Sequence, residues 1–158
     1  MISCAYINTP LGPLLAAKEK SRLIQLRLPV KGKPAEPPLS WTCRPSRFEH
    51  ETREISAYFS KKLTLFSIPL APLGTDFQQS VWRAMLDIPF GATASYKEIA
   101  EAIHNPRACR AVGRAAGANP LPIVIPCHRV IGSNGALTGF GSGLAIKQHL
   151  LQLEAKSL

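Results

Sequence analysis

The distribution of apolar residues changes near residues 67–75, and this change constrains the fold more than any other feature of the chain. Ahead of it, three apolar stretches are separated by turn residues, as in β-strands: Ile2–Ile7, Leu14–Ala17 and Leu23–Leu28. Beyond it, apolar residues recur at helical spacing behind capping signals. The sequence therefore predicts an α/β chain of the α+β kind, with a sheet domain over residues 1–72 and a mostly helical domain over residues 73–158.

The N-terminal domain is predicted to be a small antiparallel sheet plus one helix. Residues 29–47 are rich in Pro, Lys and Ser, so we expect a long loop there. Phe48–Phe59 has helical spacing, because Ile55, Tyr58 and Phe59 fall on one side of the projected helix.

Two capping boxes mark the first helices of the C-terminal domain. Thr75 with Gln78 opens a helix over about residues 76–88. Ser95 with Glu98 opens a shorter helix that follows it. A capping box satisfies two backbone donors at once, which makes these starts strong local signals.

A third helix is predicted over residues 106–116, with Asn105 as its N-cap and Pro106 as its first residue. With the helix before it, the pair indicates a helix-turn-helix motif. A helical projection places three arginines on one side: Arg107, Arg110 and Arg114. The other side is small and apolar: Ala108, Cys109, Val112, Ala115 and Ala116. Small residues let a helix approach a narrow minor groove, with one long side chain as a wedge. The alternative is a solvated basic face.

Residues 124–131 read Val-Ile-Pro-Cys-His-Arg-Val-Ile. Because proline cannot donate to a sheet, we expect a strand over residues 123–125 to break at Pro126 and to leave Cys127 at its end. The thiolate is the nucleophilic form of cysteine, and neighbouring His and Arg side chains lower the pKa of a thiol. The sequence thus predicts either a nucleophile at Cys127 or a buried structural cysteine beside two surface residues.

A last helix is predicted from about residue 144 to 155, with Leu150 on its apolar side. Glu154 lies one turn from Leu150, and a carboxylate on an inward face needs a partner. His128 is the natural partner, which would complete a Cys–His–Glu arrangement with Cys127. The alternative is that Glu154 is solvated at a frayed helix end.

The charge and the cysteine content narrow the class of partner. Lys and Arg number 19 against 10 Asp and Glu, a net +9, which favours a polyanion such as nucleic acid. Residues 1–74 carry 11 basic and 5 acidic residues (+6), and residues 75–158 carry 8 and 5 (+3).

The four cysteines form no Cys-x-x-Cys pair, so we expect free thiols in a reducing, cytoplasmic compartment and no metal at Cys43 with His50. No run approaches the ~20 apolar residues of a membrane span.

Six motifs stand in a fixed order in the C-terminal part: Ser95-Tyr96, Asn105-Pro106, Arg110-Ala-Val-Gly, Asn119-Pro120, Pro126-Cys-His-Arg-Val and Glu154. In order and spacing this series resembles the O6-alkylguanine-DNA alkyltransferases over about residues 73–155. The N-terminal part resembles the ribonuclease-H-like domain of that family only in layout.

The resemblance implies roles for four residues of a catalytic centre. Cys127 would accept the alkyl group, and His128 would deprotonate it through a water. Glu154 would hold the imidazole of His128. Asn119 would support the turn beside the active site.

The resemblance also implies a DNA-binding surface and a base pocket. Arg110 would enter the duplex and fill the space of the flipped base, while the other DNA-binding candidates are Tyr96, Lys97, Asn105, Arg107, Arg114 and Ser133. The pocket candidates are Tyr96, Val130, Phe140 and Gly141, and backbone groups at Cys127, Val130 and Gly141 would read the guanine edge. Some family members have Tyr and Ser where this chain has Phe140 and Gly141, so a hydroxyl contact is lost here.

The implied function is direct, irreversible repair of O6-alkylguanine, and of O4-alkylthymine, in double-stranded DNA by a monomer without a cofactor or a membrane association. No metal is expected, because the zinc ligands of some members have no counterparts here. Two other classes remain as alternatives. A lesion sensor would lack the acceptor cysteine, and a cysteine hydrolase would draw its Cys and His from distant parts of the sequence.

Overall fold

The computed structural model describes residues 1–136 and 143–155. The chain divides into two compact units, Met1–Leu73 and Gly74–Leu158. Among the described residues, no helix has both the length and the apolar character that a membrane span requires.

The N-terminal unit is built on a four-stranded sheet in the order β3-β2-β1-β4. Its strands are β1 (Ile2–Ile7), β2 (Leu14–Glu19), β3 (Arg22–Arg27) and β4 (Thr42–Cys43). The first three form the expected antiparallel meander, but β4 pairs in parallel with β1, so the sheet is mixed. The stretch 29–47 is therefore not all loop. A two-residue strand is too short to show the alternation of apolar and polar residues by which a strand is predicted. β4 is ordered by its pairing with β1 instead.

One helix packs in this unit, α1 (Glu49–Phe59), preceded by a 3-10 turn over Pro45–Phe48. Ile55 and Tyr58 are fully buried, as the apolar side predicted. Phe59 is only half-buried. The buried side chains of α1 thus add to the apolar core of this unit.

The C-terminal unit is mostly helical. Its elements are α2 (Asp76–Leu86), β5 (Ala94–Ser95), α3 (Tyr96–Ala102), α4 (Cys109–Gly117), a 3-10 turn over Cys127–Arg129, β6 (Val130–Ile131) and α5 (Leu144–Ala155). Both predicted capping boxes are formed in full, at the starts of α2 and α3. The indole of Trp82 donates to the carbonyl oxygen of Ala115 at 2.9 Å, which ties α2 to α4.

The third helix begins later than predicted. Its N-cap is Ala108, not Asn105, and Pro106 lies outside the helix. The amide of Asn105 donates to the carbonyl oxygen of Ala100 at 2.9 Å, and its own carbonyl accepts from Ala108 at 3.0 Å. Asn105 therefore closes α3 and starts a turn, so Arg107 precedes the helix instead of sharing its basic side.

The strand expected over residues 123–125 is absent. Ile123 has a φ of 77°, outside the range of a strand, and the amide of Ile125 donates to the carbonyl oxygen of Leu121 at 2.8 Å. The chain turns here, and Cys127 opens a 3-10 turn instead of ending a strand. The strand lies just beyond, in β6, which pairs in parallel with β5.

Candidate active site

Cys127 lies between a proline-rich turn and β6, and it is 8% exposed. The side chain of Asn119 holds that turn from both sides. Its amide nitrogen donates to the carbonyl oxygen of Ile125 at 2.8 Å, and its oxygen accepts from the amide of Leu121 at 2.9 Å. The sulfur is thereby presented at a fixed backbone position.

The environment of Cys127 keeps the thiol protonated. Burial raises the pKa of Cys127, and this effect outweighs the lowering by the Asn119 side chain, by Lys147 and by backbone amides. We expected the neighbouring His and Arg to lower the pKa, and that expectation was wrong. Arg129 turns to a carboxylate instead. Nucleophilic attack at this sulfur therefore requires a base.

His128 is fully buried, and its ring nitrogens face different groups. Nε2 lies 2.6 Å from Oε2 of Glu154. Because a carboxylate accepts, Nε2 carries the proton, and the lone pair of the neutral ring is on Nδ1. Nδ1 is buried and makes no hydrogen bond to any residue that the structure describes. Burial lowers the pKa of His128 against the raising effect of Glu154, so the neutral, basic form prevails at neutral pH.

Arg129 holds the same carboxylate, a role that the sequence did not reveal. Its Nε donates to Oε1 of Glu154 at 2.8 Å and its Nη2 to Oε2 at 3.0 Å. Its Nη1 donates to the carbonyl oxygen of Ile88 at 2.7 Å, and the guanidinium lies over the ring of Phe90. This fork fixes both oxygens of Glu154 from a buried position.

Lys147 is a second buried cation that sequence reasoning missed. It lies on α5 with no exposed surface, and its Nζ donates to the carbonyl oxygen of Val130 at 2.6 Å. Its charge favours the thiolate of Cys127, while burial lowers the pKa of Lys147 itself. The only available signal was its position on the apolar side of the predicted helix, one turn before Leu150.

Six of the seven predicted DNA-binding residues lie on or beside α3 and α4, and Ser133 lies in the turn after β6. Arg110 and Arg114 are exposed on α4, and Arg107 is exposed on the turn before it. Tyr96 opens α3 and its ring faces Gly113 of α4, where an added Cβ would lie 3.9 Å from the ring. The remaining candidates are all exposed: Lys97, Asn105 and Ser133.

The predicted pocket residues are only partly described. Val130 is fully buried at the start of β6, directly after the Cys127 turn. Phe140 and Gly141 lie outside the described residues. The described part of the chain therefore brings Cys127, His128, Glu154 and Asn119 to one place.

Comparison with known proteins assigns the family. The model of the 6-O-methylguanine DNA methyltransferase DNA-binding domain matches residues 76–156, and that of the ribonuclease-like domain matches residues 2–72. The chain belongs to the 6-O-methylguanine DNA methyltransferase family. The two matched ranges together take in nearly the whole chain.

Relatives of the methyltransferase family are similar over their full length. A methylated-DNA–protein-cysteine methyltransferase of Methanosarcina barkeri is 51% identical over 152 residues, 96% of each chain. That of Mycobacterium tuberculosis is 48% identical over 155 residues, 98% of this chain and 93% of the relative. The solved O6-methylguanine methyltransferase of M. tuberculosis superposes with a TM-score of 0.91 at 46% identity, covering 100% and 95% of the two chains. A structure of the same M. tuberculosis protein in complex with DNA matches with a TM-score of 0.91 at 45% identity, covering 98% and 94%.

Proposed function

We propose that this chain repairs DNA by moving the alkyl group of O6-alkylguanine, and of O4-alkylthymine, onto Sγ of its own Cys127. One observation carries the proposal: the buried thiol is followed directly by a histidine whose Nε2 is held by Glu154 and whose Nδ1 is left as a base. Membership of the methyltransferase family and the methylated-DNA–protein-cysteine methyltransferase relatives support it.

His128 and the buried cations act together to make Cys127 nucleophilic. His128 takes the thiol proton through a water, because Nδ1 is the ring nitrogen that carries no proton. Arg129 and Glu154 hold the ring in one orientation and one tautomer. Lys147 supports the developing thiolate by charge, which a low-dielectric site makes effective.

The transfer step is a displacement at the alkyl carbon. The Sγ–C bond forms, the C–O6 bond breaks, and guanine leaves with the electron pair and regains a proton. The product at Cys127 is a thioether that no ordinary step reverses, so each chain acts once. No cofactor takes part, since the alkyl group is already activated on the base.

The target oxygen lies inside a base-paired duplex, so the nucleotide must be extruded, at a cost of a few kcal/mol. We assign this step to α4 in the minor groove, with Arg110 filling the gap in the stack. Tyr96 bears on the backbone and on the base, and the Val130 carbonyl, which has a second lone pair beside its bond to Lys147, accepts from the guanine edge. Every group in this scheme comes from one chain, so a monomer acting on double-stranded DNA suffices.

Intact mass measured after incubation with methylated and benzylated guanine oligonucleotides tests the proposal. We expect one alkyl group per chain, mapped to Cys127 by peptide analysis. Cys127→Ala should lose transfer and keep DNA binding, while the matched variant Cys109→Ser should keep both. An alkyl group on Cys4, Cys43 or Cys109 would overturn the assignment.

A further inference from the structure

A polar pocket of about 300 Å³ lies in the N-terminal unit, which the proposed transfer chemistry does not use. Its lining comes from β1, from the end of β2 with the following turn, and from the 3-10 turn before α1: Met1, Ser3, Lys18, Lys20, Ser21 and Arg47. Three of these residues are cations, two carry hydroxyls, and no carboxylate lines the pocket. Its volume is at the lower end of the range of ligand sites, which suits a small anionic group.

Lys18 is the fixed cation of this pocket. Its Nζ donates to the carbonyl oxygen of Arg47 at 3.0 Å, pairs with Oε2 of Glu51 at 3.0 Å and lies over the ring of Phe48. Its side chain is only 15% exposed, so little rotamer freedom is left to lose when a ligand binds. Glu51 is itself 1% exposed and lies behind Lys18, outside the lining.

The turn between β2 and β3 keeps an unfavourable backbone at the rim of the pocket. Lys20 and Ser21 have φ angles of 50° and 69°, both in the left-handed region that Asn and Gly adopt at least cost. A hairpin of this type is commonly made with Asn-Gly. Here the sequence places a cation and a hydroxyl at the two strained positions, and both line the pocket.

Charge distribution points to the ligand. Residues 1–74 carry 11 basic and 5 acidic residues, a net +6, although the DNA-binding candidates all lie in the other unit. In the pocket, Lys20 and Arg47 are exposed cations, and Ser3 and Ser21 add hydroxyl donors. Cations with hydroxyl donors are the groups that hold phosphate oxygens at nucleic-acid interfaces.

We propose that this pocket binds a backbone phosphate of DNA and so gives the N-terminal unit a nucleic-acid contact of its own. The choice of DNA as the source of the phosphate rests on the proposed function. The pocket chemistry itself would serve any phosphate group, so the experiments separate the two sources.

The first experiment compares the full-length double variant Lys20→Ala/Arg47→Ala with Lys31→Ala/Lys33→Ala. The control removes the same charge from exposed positions of the same unit that do not line the pocket. Affinity for an unmodified duplex is measured by anisotropy over a series of salt concentrations. The pocket variant should lower the slope of log K against log salt by about 1.8, the value for two phosphate contacts, and the control by much less. Equal slopes in the two variants would overturn the proposal.

The second experiment follows the amide signals of Lys20 and Ser21 by NMR, with unmodified duplex and with inorganic phosphate. Shifts with duplex support the proposal, whereas shifts with inorganic phosphate alone, or with neither, overturn it. Transfer from free O6-benzylguanine should stay unchanged in Lys20→Ala/Arg47→Ala. Absence of transfer from free O6-benzylguanine in the unchanged protein would count against the proposed function and not against the phosphate pocket. The two hypotheses are therefore judged apart.

Discussion

At the scale of single residues, Glu154 contacts both His128 and Arg129 and so connects the two. One oxygen faces Nε2 of His128, and both oxygens accept from the guanidinium of Arg129. The pair on Arg129 is buried, so removing either partner leaves an uncompensated charge at a cost of about 3–5 kcal/mol. In the proposed scheme, the carboxylate therefore serves both the orientation of His128 and the stability of the unit.

Glu154→Gln tests the orienting role. Both oxygens of Glu154 accept from Arg129, so the amide NH₂ of Gln must face one of these donors, and the carboxylate charge opposite His128 is lost. Single-turnover transfer should therefore slow about 100-fold or more. DNA affinity should change little, because Glu154 is buried and has no surface to offer to DNA. The control is Glu101→Gln, an exposed change on α3, with urea unfolding of both variants. Unchanged single-turnover rates over about pH 6–9 would refute the role.

The neutral state of His128 makes stability depend on pH. Because burial lowers the pKa of His128 in the folded state, the unfolded chain binds its proton first as pH falls. The contribution is complete above the ordinary imidazole value of about 6.5 and is lost below it. The free energy of unfolding should therefore fall with acid below about pH 6.5, as measured by urea titration. His128→Asn should flatten that part of the profile, and an equal slope in both proteins would contradict the assignment.

At the scale of elements, α4 carries the DNA hypothesis. It is short, and its buried side is small: Val112, Ala115 and Ala116. Its anchor is the indole of Trp82 on α2. Since α4 begins at Cys109, Arg110 lies in its first turn and Arg107 lies before it. Arg110 and Arg114 are therefore held on a helix, whereas Arg107 lies on the turn before it.

Three alanine variants, at Arg107, Arg110 and Arg114, test this difference. Arg110→Ala should lose transfer on duplex DNA and much less on free O6-benzylguanine, because the free base needs no extrusion. Arg107→Ala and Arg114→Ala should each lower the salt slope of DNA binding by about one. Single-turnover rates on both substrates provide the measurement. Equal losses of all three on duplex would make Arg110 one more phosphate contact.

Local signals in the sequence predicted the elements that are set locally. The capping boxes of α2 and α3 gave the right starts, because each is closed within four residues. The prediction that Asn105 caps the third helix was wrong, because its amide donates to the carbonyl oxygen of Ala100 at the end of α3. Local propensity does not indicate this hydrogen bond. β4 and β6 were missed for a related reason, since each is a two-residue strand ordered by a distant partner.

The sequence predicted which proposed reacting groups meet at the candidate site, but not the residues that support them. Cys127 and His128 stand in one motif, and Glu154 falls on an inward helix face that demands a partner. Arg129 and Lys147 were missed because a cation in a sequence is read as exposed, and only the fold shows that both are buried. The raised pKa of Cys127 has the same origin, since burial is a property of the assembled unit.

At the scale of the whole molecule, each chain carries one acceptor sulfur in the proposed scheme. Titration with methylated duplex should therefore end at one lesion per chain, and added substrate should leave the endpoint unchanged. A cysteine hydrolase would continue to turn over, and a sensor would consume nothing. Quenched-flow analysis of the methylated base remaining distinguishes the three. Steady consumption beyond one equivalent would refute the single-use scheme.

In the proposed scheme, the buried ions around Cys127 also determine the net charge of the site after alkylation. Glu154 balances Arg129, and Lys147 adds one positive charge beside a neutral thiol and a neutral imidazole. Moving the proton from sulfur to His128 leaves that sum at +1, and so does passing a proton on to the departing guanine. In the proposed scheme, the charges of these named groups therefore have the same sum before and after transfer. The scheme therefore predicts that transfer itself leaves the electrostatic attraction between these groups and DNA unchanged.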